Sequence, residues 1–271
     1  LLVVLLFPLY WILVTSLKTE QEIFRIPPTL FPSVLNTDSY AAQLQSGDFN
    51  MFQSFGNSMI IALSCTAIAV ILSVPASYGL ARFRFRGKKV CILSFLITQM
   101  LPVSVILTPM FIIFKNMSLL NTYFSAILAD ATIGIPFSVL ILKNYFGSIP
   151  KELEEAAYVD GAGTMKTLVR VILPGASSML LTVFLFSFVW QWLDATYTPV
   201  FCSNSELVPV LIGTLESPLN HISLSGAGSQ LMTASLVRNA GIVLAIFPLV
   251  ILYAFVQKYF VQSVERSGLV G

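Results

Sequence analysis

The stretch KELEEAAYVDGAG, residues 151–163, puts Glu152, Glu154, Glu155 and Asp160 within nine positions of a chain that has 13 carboxylates in 271 residues. The pattern does not suggest catalysis: no Ser/His/Asp set, metal cluster or carboxylate pair accompanies it at a common depth. It suits a charged contact carried on a helix. Ser148 and Pro150 are helix-starting residues, and acids at 152, 154 and 155 complement the positive end of a helix dipole. Leu153, Ala156 and Ala157 form an i, i+3, i+4 stripe whose alanines let another surface approach closely. Asp160-Gly161-Ala162-Gly163 then breaks the helix. A second helix is expected from Thr164, with Met165, Leu168, Val169 and Ile172 on one face and Lys166, Thr167 and Arg170 on the other, before Leu173-Pro174 leads into an apolar run. A loop whose acids merely kept it wet would not need Ala-Ala beside Glu at helical spacing.

A second set of polar and aromatic residues lies in or beside the apolar runs. Asp130 is the one ionisable residue within their strictly apolar parts, Leu1–Leu17, Gly56–Ala81, Val90–Phe114, Asn121–Leu142, Val171–Leu193 and Asn239–Gln257, and an ionisable group at membrane depth marks a functional site by default. Trp190, Gln191 and Trp192 offer stacking faces and an amide, suited to sugar rings, although tryptophan also anchors helices at the membrane interface. Asp194 stands at the outer end of that run. Asn57 stands at the outer end of another, as a path residue or a helix cap. His221, the lone histidine, reads as a solvated loop side chain.

Composition dictates the elements that position these residues. Hydrophobic residues make up 56%, charged residues 10%, and the mean hydropathy is +0.84. A soluble domain of this length is about one-quarter charged, so this chain cannot cover a water-facing surface. The net charge of +2 comes with no basic stripe interleaved with aromatics, so nucleic acid is not an expected partner. Cys65, Cys91 and Cys202 are too scattered for a disulfide framework or a metal pattern. No GxxxxGK[ST] phosphate loop occurs.

Six apolar stretches, at about 1–17, 56–81, 90–114, 121–142, 171–197 and 236–260, qualify as spans against the roughly 20 residues that cross a bilayer as a helix. The expectation is an all-α, polytopic membrane protein: one transmembrane domain over 1–271, with a cytoplasmic loop at 147–174 between spans four and five. Leu1 is not preceded by Met or a basic flank, so a segment before it is expected. The runs do not alternate as barrel strands would. Pro75, Pro102, Pro109, Pro136 and Pro248 punctuate them, which suits a path that opens and closes. Basic residues set the orientation. With the 81–89 loop, the whole loop after span four (from residue 143) and the C-terminus inside, 11 of the 15 (Arg82, Arg84, Arg86, Lys88, Lys89, Lys143, Lys151, Lys166, Arg170, Lys258 and Arg266) face the cytoplasm. Lys18, Arg25, Lys115 and Arg238 remain outside.

The run EAAYVDGA at 155–162, with Leu173-Pro174 after it, resembles the EAA loop of ABC importer permeases. SLKTEQEIF at 16–24, NSMIIAL at 57–63, YGLARFRFRGKK at 78–89 and QKYFV at 257–261 extend the likeness along the chain, most closely to the carbohydrate branch and its maltose-type G subunit. The chain departs from that branch at Ser178, where proline is frequent, at Trp190-Gln191, where Trp-Asn is frequent, and at Ser267–Gly271, which lacks the usual lysine. The resemblance implies a type I importer permease fold in a bacterial inner membrane, with the C-terminus cytoplasmic. It implies that Glu155, Ala156, Ala157, Asp160, Gly161, Ala162 and Gly163 form the ATPase-coupling element. It also implies these partners: two ABC ATPase subunits that bind ATP-Mg, a second, different permease chain and an extracytoplasmic substrate-binding protein. No cofactor is expected in this chain itself.

Overall fold

The structure, a computed structural model, describes residues 2–45, 51–203, 210 and 227–268; His221, Leu1 and Leu269–Gly271 lie outside the described residues. The regular elements among them are helical: α1 Leu2–Ser16, α2 Glu20–Ile23, α3 Asp38–Gln45, α4 Met51–Arg82, α5 Lys88–Met100, α6 Val103–Asn116, α7 Tyr123–Ser148, α8 Glu152–Val159, α9 Thr164–Thr167, a π turn Leu168–Ile172, α10 Leu173–Gly175, α11 Ser177–Trp192, α12 Tyr197–Phe201 and α13 Ala227–Gly268. A lipid-facing backbone must satisfy its polar groups within its own segment, and an apolar chain does so most simply as helix.

Among the described residues, α4, α7 and Leu236–Phe255 within α13 are long and apolar enough to cross a membrane. Two bent pairs raise the number to five if each is one span: α5 with α6, bent by 100°, and Thr164–Gly175 with α11, bent by 80°. Helix α1 is apolar but shorter. The stretch expected as a single third span is thus broken at Leu101-Pro102, where Leu101 is extended (ψ 132°). A residue preceding proline is pushed out of the helical region, which accounts for the break. The stretch expected as span five from 171 instead starts its straight helix at Ser177, after Pro174-Gly175.

Contacts divide the chain into two units, 1–58 with 204–252 and 59–203 with 253–271, and the divisions fall inside α4 and α13. In the first unit, the segment after α1 is tied by polar bonds. Lys18 Nζ donates to the Thr29 carbonyl and sits 4.8 Å over the Trp11 ring. The Glu22 carboxylate accepts from the Thr29 hydroxyl (2.7 Å) and the Ser33 amide (2.9 Å).

In the second unit, α4 and α7 run parallel. Cys65 Sγ reaches the Ile127 carbonyl and Ser73 Oγ the Ile135 carbonyl, eight residues further along both helices. Cys65, Ala69 and Ser73 follow one another at four-residue spacing and are buried. Small residues in such a row let helices approach closely inside a membrane. The two helices therefore end at the same level, and Tyr78, Leu142, Phe146, Leu168, Ile172, Ala176 and Val183 form the core there. At the other end Phe114, Ala129, Tyr197 and Phe201 form a second core.

Candidate functional site

Helix α8 has Lys151 at its N-cap and Glu152, Glu154 and Glu155 in its first turn. Ser148 belongs to the preceding helix and donates to the Tyr145 carbonyl, so it closes α7 rather than starting α8. Gly161 ends α8 with φ +78°. The Ala162 amide bonds the Ala157 carbonyl (2.9 Å) and the Gly161 amide bonds the Tyr158 carbonyl (3.0 Å). This is the paired closure of a Schellman turn, which needs a left-handed residue at Gly161. The Asp160-Gly161 turn thus stands where expected.

The faces differ from the expected ones. Glu154 and Ala157 turn inward, while Leu153 (51%), Tyr158, Val159 (88%) and Glu155 face outward with Ala156. The stripe Leu153, Ala156, Ala157 is therefore split between two sides. After α9 the hydrogen bonding loosens into the π turn, which carries more residues per turn than an α-helix and rotates the following side chains. Thr167, Leu168 and Ile172 are buried, whereas Met165 and Val169 are exposed, so the expected 165/168/169/172 face does not form.

One residue expected only as loop charge sits at the centre of this end. Arg82, the last residue of α4, has its side chain 7% exposed and places Nε 2.5 Å from Glu154 Oε1. Its Nη2 donates to the Ile149 carbonyl at 2.8 Å, just past the end of α7. Tyr78, one turn earlier, donates to Glu154 Oε2 at 3.2 Å and packs edge-on against Phe146. Arg84, Arg86 and Lys89 are exposed.

Further along α7 and α11 lies a cavity of about 350 Å³ lined by Gln99, Ile133, Gly134, Phe137, Phe186, Ser187, Trp190 and Gln191. Trp190 is 67% exposed. Gln191 is buried and donates Nε2 to the Asp130 carbonyl at 3.3 Å, and its Oε1 has no partner among the described residues. Gln99 donates to the Ile133 carbonyl. The other expected path residues have structural partners. The Asp130 carboxylate is buried and accepts from the Thr198 hydroxyl at 3.0 Å. Asp194 accepts from the amides of Thr196, Tyr197 and Thr198 and so caps α12. Trp192 is buried and stacks on Phe188. Asn57 is buried inside α4 as its seventh residue, so it is not an N-cap.

Residues 69–266 match the model of a family described as the binding-protein-dependent transport system inner membrane component. The chain belongs to this family. The transport component is 30% identical over 270 residues to the probable ABC transporter permease protein YurM of Bacillus subtilis (strain 168), covering 100% of this chain and 85% of that one. It is 30% identical over 217 residues to the maltodextrin transport system permease protein MdxG of the same organism, covering 80% and 75%. Among solved structures, a chain of a bacterial ABC transporter involved in the import of the acidic polysaccharide alginate superposes with a TM-score of 0.78 at 25% identity, over 95% of this transport component and 91% of that chain. The fold is that of an ABC importer permease.

Sequence reading of this permease missed Arg82, Tyr78 and Glu154 as a set, and Gln99, Gly134, Phe137, Phe186 and Ser187 as cavity lining. Gln99 could have been found, as an amide inside an apolar run. Arg82 could not, because five basic residues crowd 82–89 and nothing local distinguishes the one that turns inward.

Proposed function

We propose that this chain is one of two transmembrane subunits of an ATP-driven, binding-protein-dependent importer for a sugar or oligosaccharide. In this reading residues 1–271 form a single transmembrane domain of six spans, with a cytoplasmic C-terminus and the 147–174 loop facing the ATPase. The observation that carries the reading is the outward face of α8. Leu153, Tyr158 and Val159 present apolar surface beside the exposed Glu155 and Asp160. A wetting loop has no use for such a face, whereas a groove rimmed by basic side chains would cover it. The Arg82 and Ile149 contacts agree with the charge asymmetry, since they put the basic 82–89 segment and the 149–163 segment at one end.

ATP-Mg is assigned to two partner ATPase subunits, because this sequence carries no phosphate loop. Their closure, acting through Glu155, Ala156, Ala157, Asp160, Gly161, Ala162 and Gly163, biases the spans between inward-open and outward-open states. Cargo arrives on an extracytoplasmic binding protein and passes a second, different permease chain alongside this one. The carbohydrate assignment draws on relatives whose names specify maltodextrin and alginate. Trp190, Phe137 and Phe186 supply aromatic faces, and Gln99 and Gln191 supply amides, for a polar ring.

The test is co-purification followed by reconstitution. The tagged chain should bring down an ATPase and a second permease, and a binding protein loaded with a saccharide should stimulate ATP hydrolysis. Stimulation by an amino acid or phosphonate instead would overturn the cargo. Normal transport by assembled Glu155→Ala would overturn the coupling role.

A further inference from the structure

The described end of α4 is joined to α8 by side chains alone. Arg82 and Glu154 are 72 positions apart in the chain, so α4 has no short covalent route to α8. By contrast, α7 enters α8 through Ile149–Lys151, and α8 leaves for α11 through α9 and the π turn. A displacement of α8 is therefore handed to α7 and α11 by the backbone. For α4 to follow, a non-covalent link must hold. Arg82 provides it with two charge-directed contacts from one guanidinium, the Glu154 carboxylate and the Ile149 carbonyl. Arginine suits this role, because its rigid planar fork presents several donors at once. The carbonyl beyond the end of α7 carries the negative end of that helix dipole, which favours a cation. Tyr78 adds a third contact from the same helix.

We propose that Arg82 and Glu154 are positioning residues of the transport cycle, whose ion pair makes the inner end of α4 move together with α8. The inference rests on the reading of α8 as the ATPase contact. The ion pair faces the protein interior while Glu155 faces outward, so adjacent acids divide two tasks: Glu155 meets the partner and Glu154 transmits what the partner does. Arg82→Lys keeps the charge but cannot span both acceptors, and should be intermediate between wild type and Arg82→Met.

The experiment uses the assembled complex, with nitroxide labels at positions 83 and 151 and the native cysteines replaced. Distances are measured by pulsed electron spin resonance without nucleotide and after ATP with vanadate. In the otherwise wild-type complex one narrow distance peak should persist through both states. In Arg82→Met the peak should broaden, and trapping should shift it by about 5 Å, the pitch of one helical turn. Glu154→Gln keeps the size and the Tyr78 contact, guards against misfolding, and should shift in the same direction by less. The exchanged pair Arg82→Glu with Glu154→Arg should regain the narrow peak. An unchanged peak in both single variants overturns the proposal, as does an exchanged pair no narrower than Arg82→Met. Glu155→Ala separates the two readings. If it retains its ATPase and its trapping by vanadate, the docking reading fails. If it loses them while Arg82→Met behaves as wild type, only the Arg82–Glu154 link fails.

Discussion

Gln191 on α11 donates its side-chain amide to the main-chain carbonyl of Asp130 on α7, 3.3 Å away and 61 positions earlier in the chain. The bond fixes which end of the amide faces which way. Nε2 is held against α7, and Oε1 is left buried without a partner among the described residues. The amide at the cavity wall is therefore an oriented acceptor.

Gly134 bears on that orientation directly. A Cβ at this position would stand 3.3 Å from Gln191 Nε2 and 3.9 Å from Ala69 Cβ. Gly134→Ala should push the amide off the Asp130 carbonyl. The expected outcome is a severalfold loss of uptake in proteoliposomes, with a stability change of about 1 kcal/mol, the scale of one hydrogen bond, read by chemical denaturation in detergent.

Trp190 is largely exposed at the mouth of the same cavity, whereas Trp192 is packed. Trp190→Ala should cut saccharide uptake about tenfold, consistent with one lost aromatic contact of roughly 1.4 kcal/mol, and leave the melting temperature unchanged. Trp192→Ala should do the reverse, lowering the melting temperature because a buried aromatic is removed.

Gly161 and Gly163 look alike in the motif and should behave differently. Neither has an atom within 4 Å of a built Cβ, but Gly161 sits at φ +78° and Gly163 at φ −76°. Gly161→Ala should destabilise the isolated permease by about 1–2 kcal/mol, the strain of a left-handed residue. Gly161→Pro should cost more, since proline cannot adopt positive φ and removes the amide that bonds Tyr158. Gly163→Ala should leave the permease unaffected. Any loss of ATPase coupling in that variant would report the partner's surface.

The Arg82–Glu154 pair should show strong coupling in a double-mutant cycle of unfolding. Arg82→Met leaves a buried carboxylate without its cation, at a cost of about 3–5 kcal/mol. The double variant Arg82→Met with Glu154→Leu should cost less than Arg82→Met alone, because well-packed apolar replacements of buried pairs are close to neutral. Additive costs would contradict the pairing.

The turn after α1 should respond to acid. The Thr29 hydroxyl bond, followed by the Ser33 bonds, holds the Glu22 carboxyl below its ordinary value of 4.5. A depressed folded-state pKa means that the stabilisation is present above 4.5 and is lost as the pH falls through the folded value. The Ser33 amide should therefore exchange faster as the pH drops below 4.5, relative to the intrinsic rate. Glu22→Gln should flatten that dependence.

Much of this protein could be read without coordinates, for local reasons. Apolar runs of span length imply helices because a backbone in lipid must satisfy itself. The Asp160-Gly161 turn was legible because left-handed closure depends on a glycine at one position, whatever the rest of the chain does. The break after Leu101 has an equally local cause in Pro102, yet in sequence Pro102 is only one of several prolines punctuating the apolar runs, because proline restricts only its predecessor and the 100° bend depends on what the two halves pack against. The cavity was half legible. Trp190 and Gln191 stood out as polar and aromatic in an oily run, but Gly134 and Phe137 gave no local sign that α7 would supply the facing wall.

The acids of 152–160 draw the boundary most sharply. Helical periodicity established that they lie on a short helix with Gly161 at its end. It could not establish that Glu154 turns inward while Glu155 turns out, because that depends on Arg82 arriving from another helix. Arg82 in turn is placed by the parallel register of α4 on α7, set by Cys65, Ala69 and Ser73 packed far from either charge. Hydrophobic length and turn chemistry act within a few residues, so the order of residues decided them. The partner of a buried charge is chosen by helix packing between distant segments, and only the folded arrangement of α4, α7 and α8 decided that.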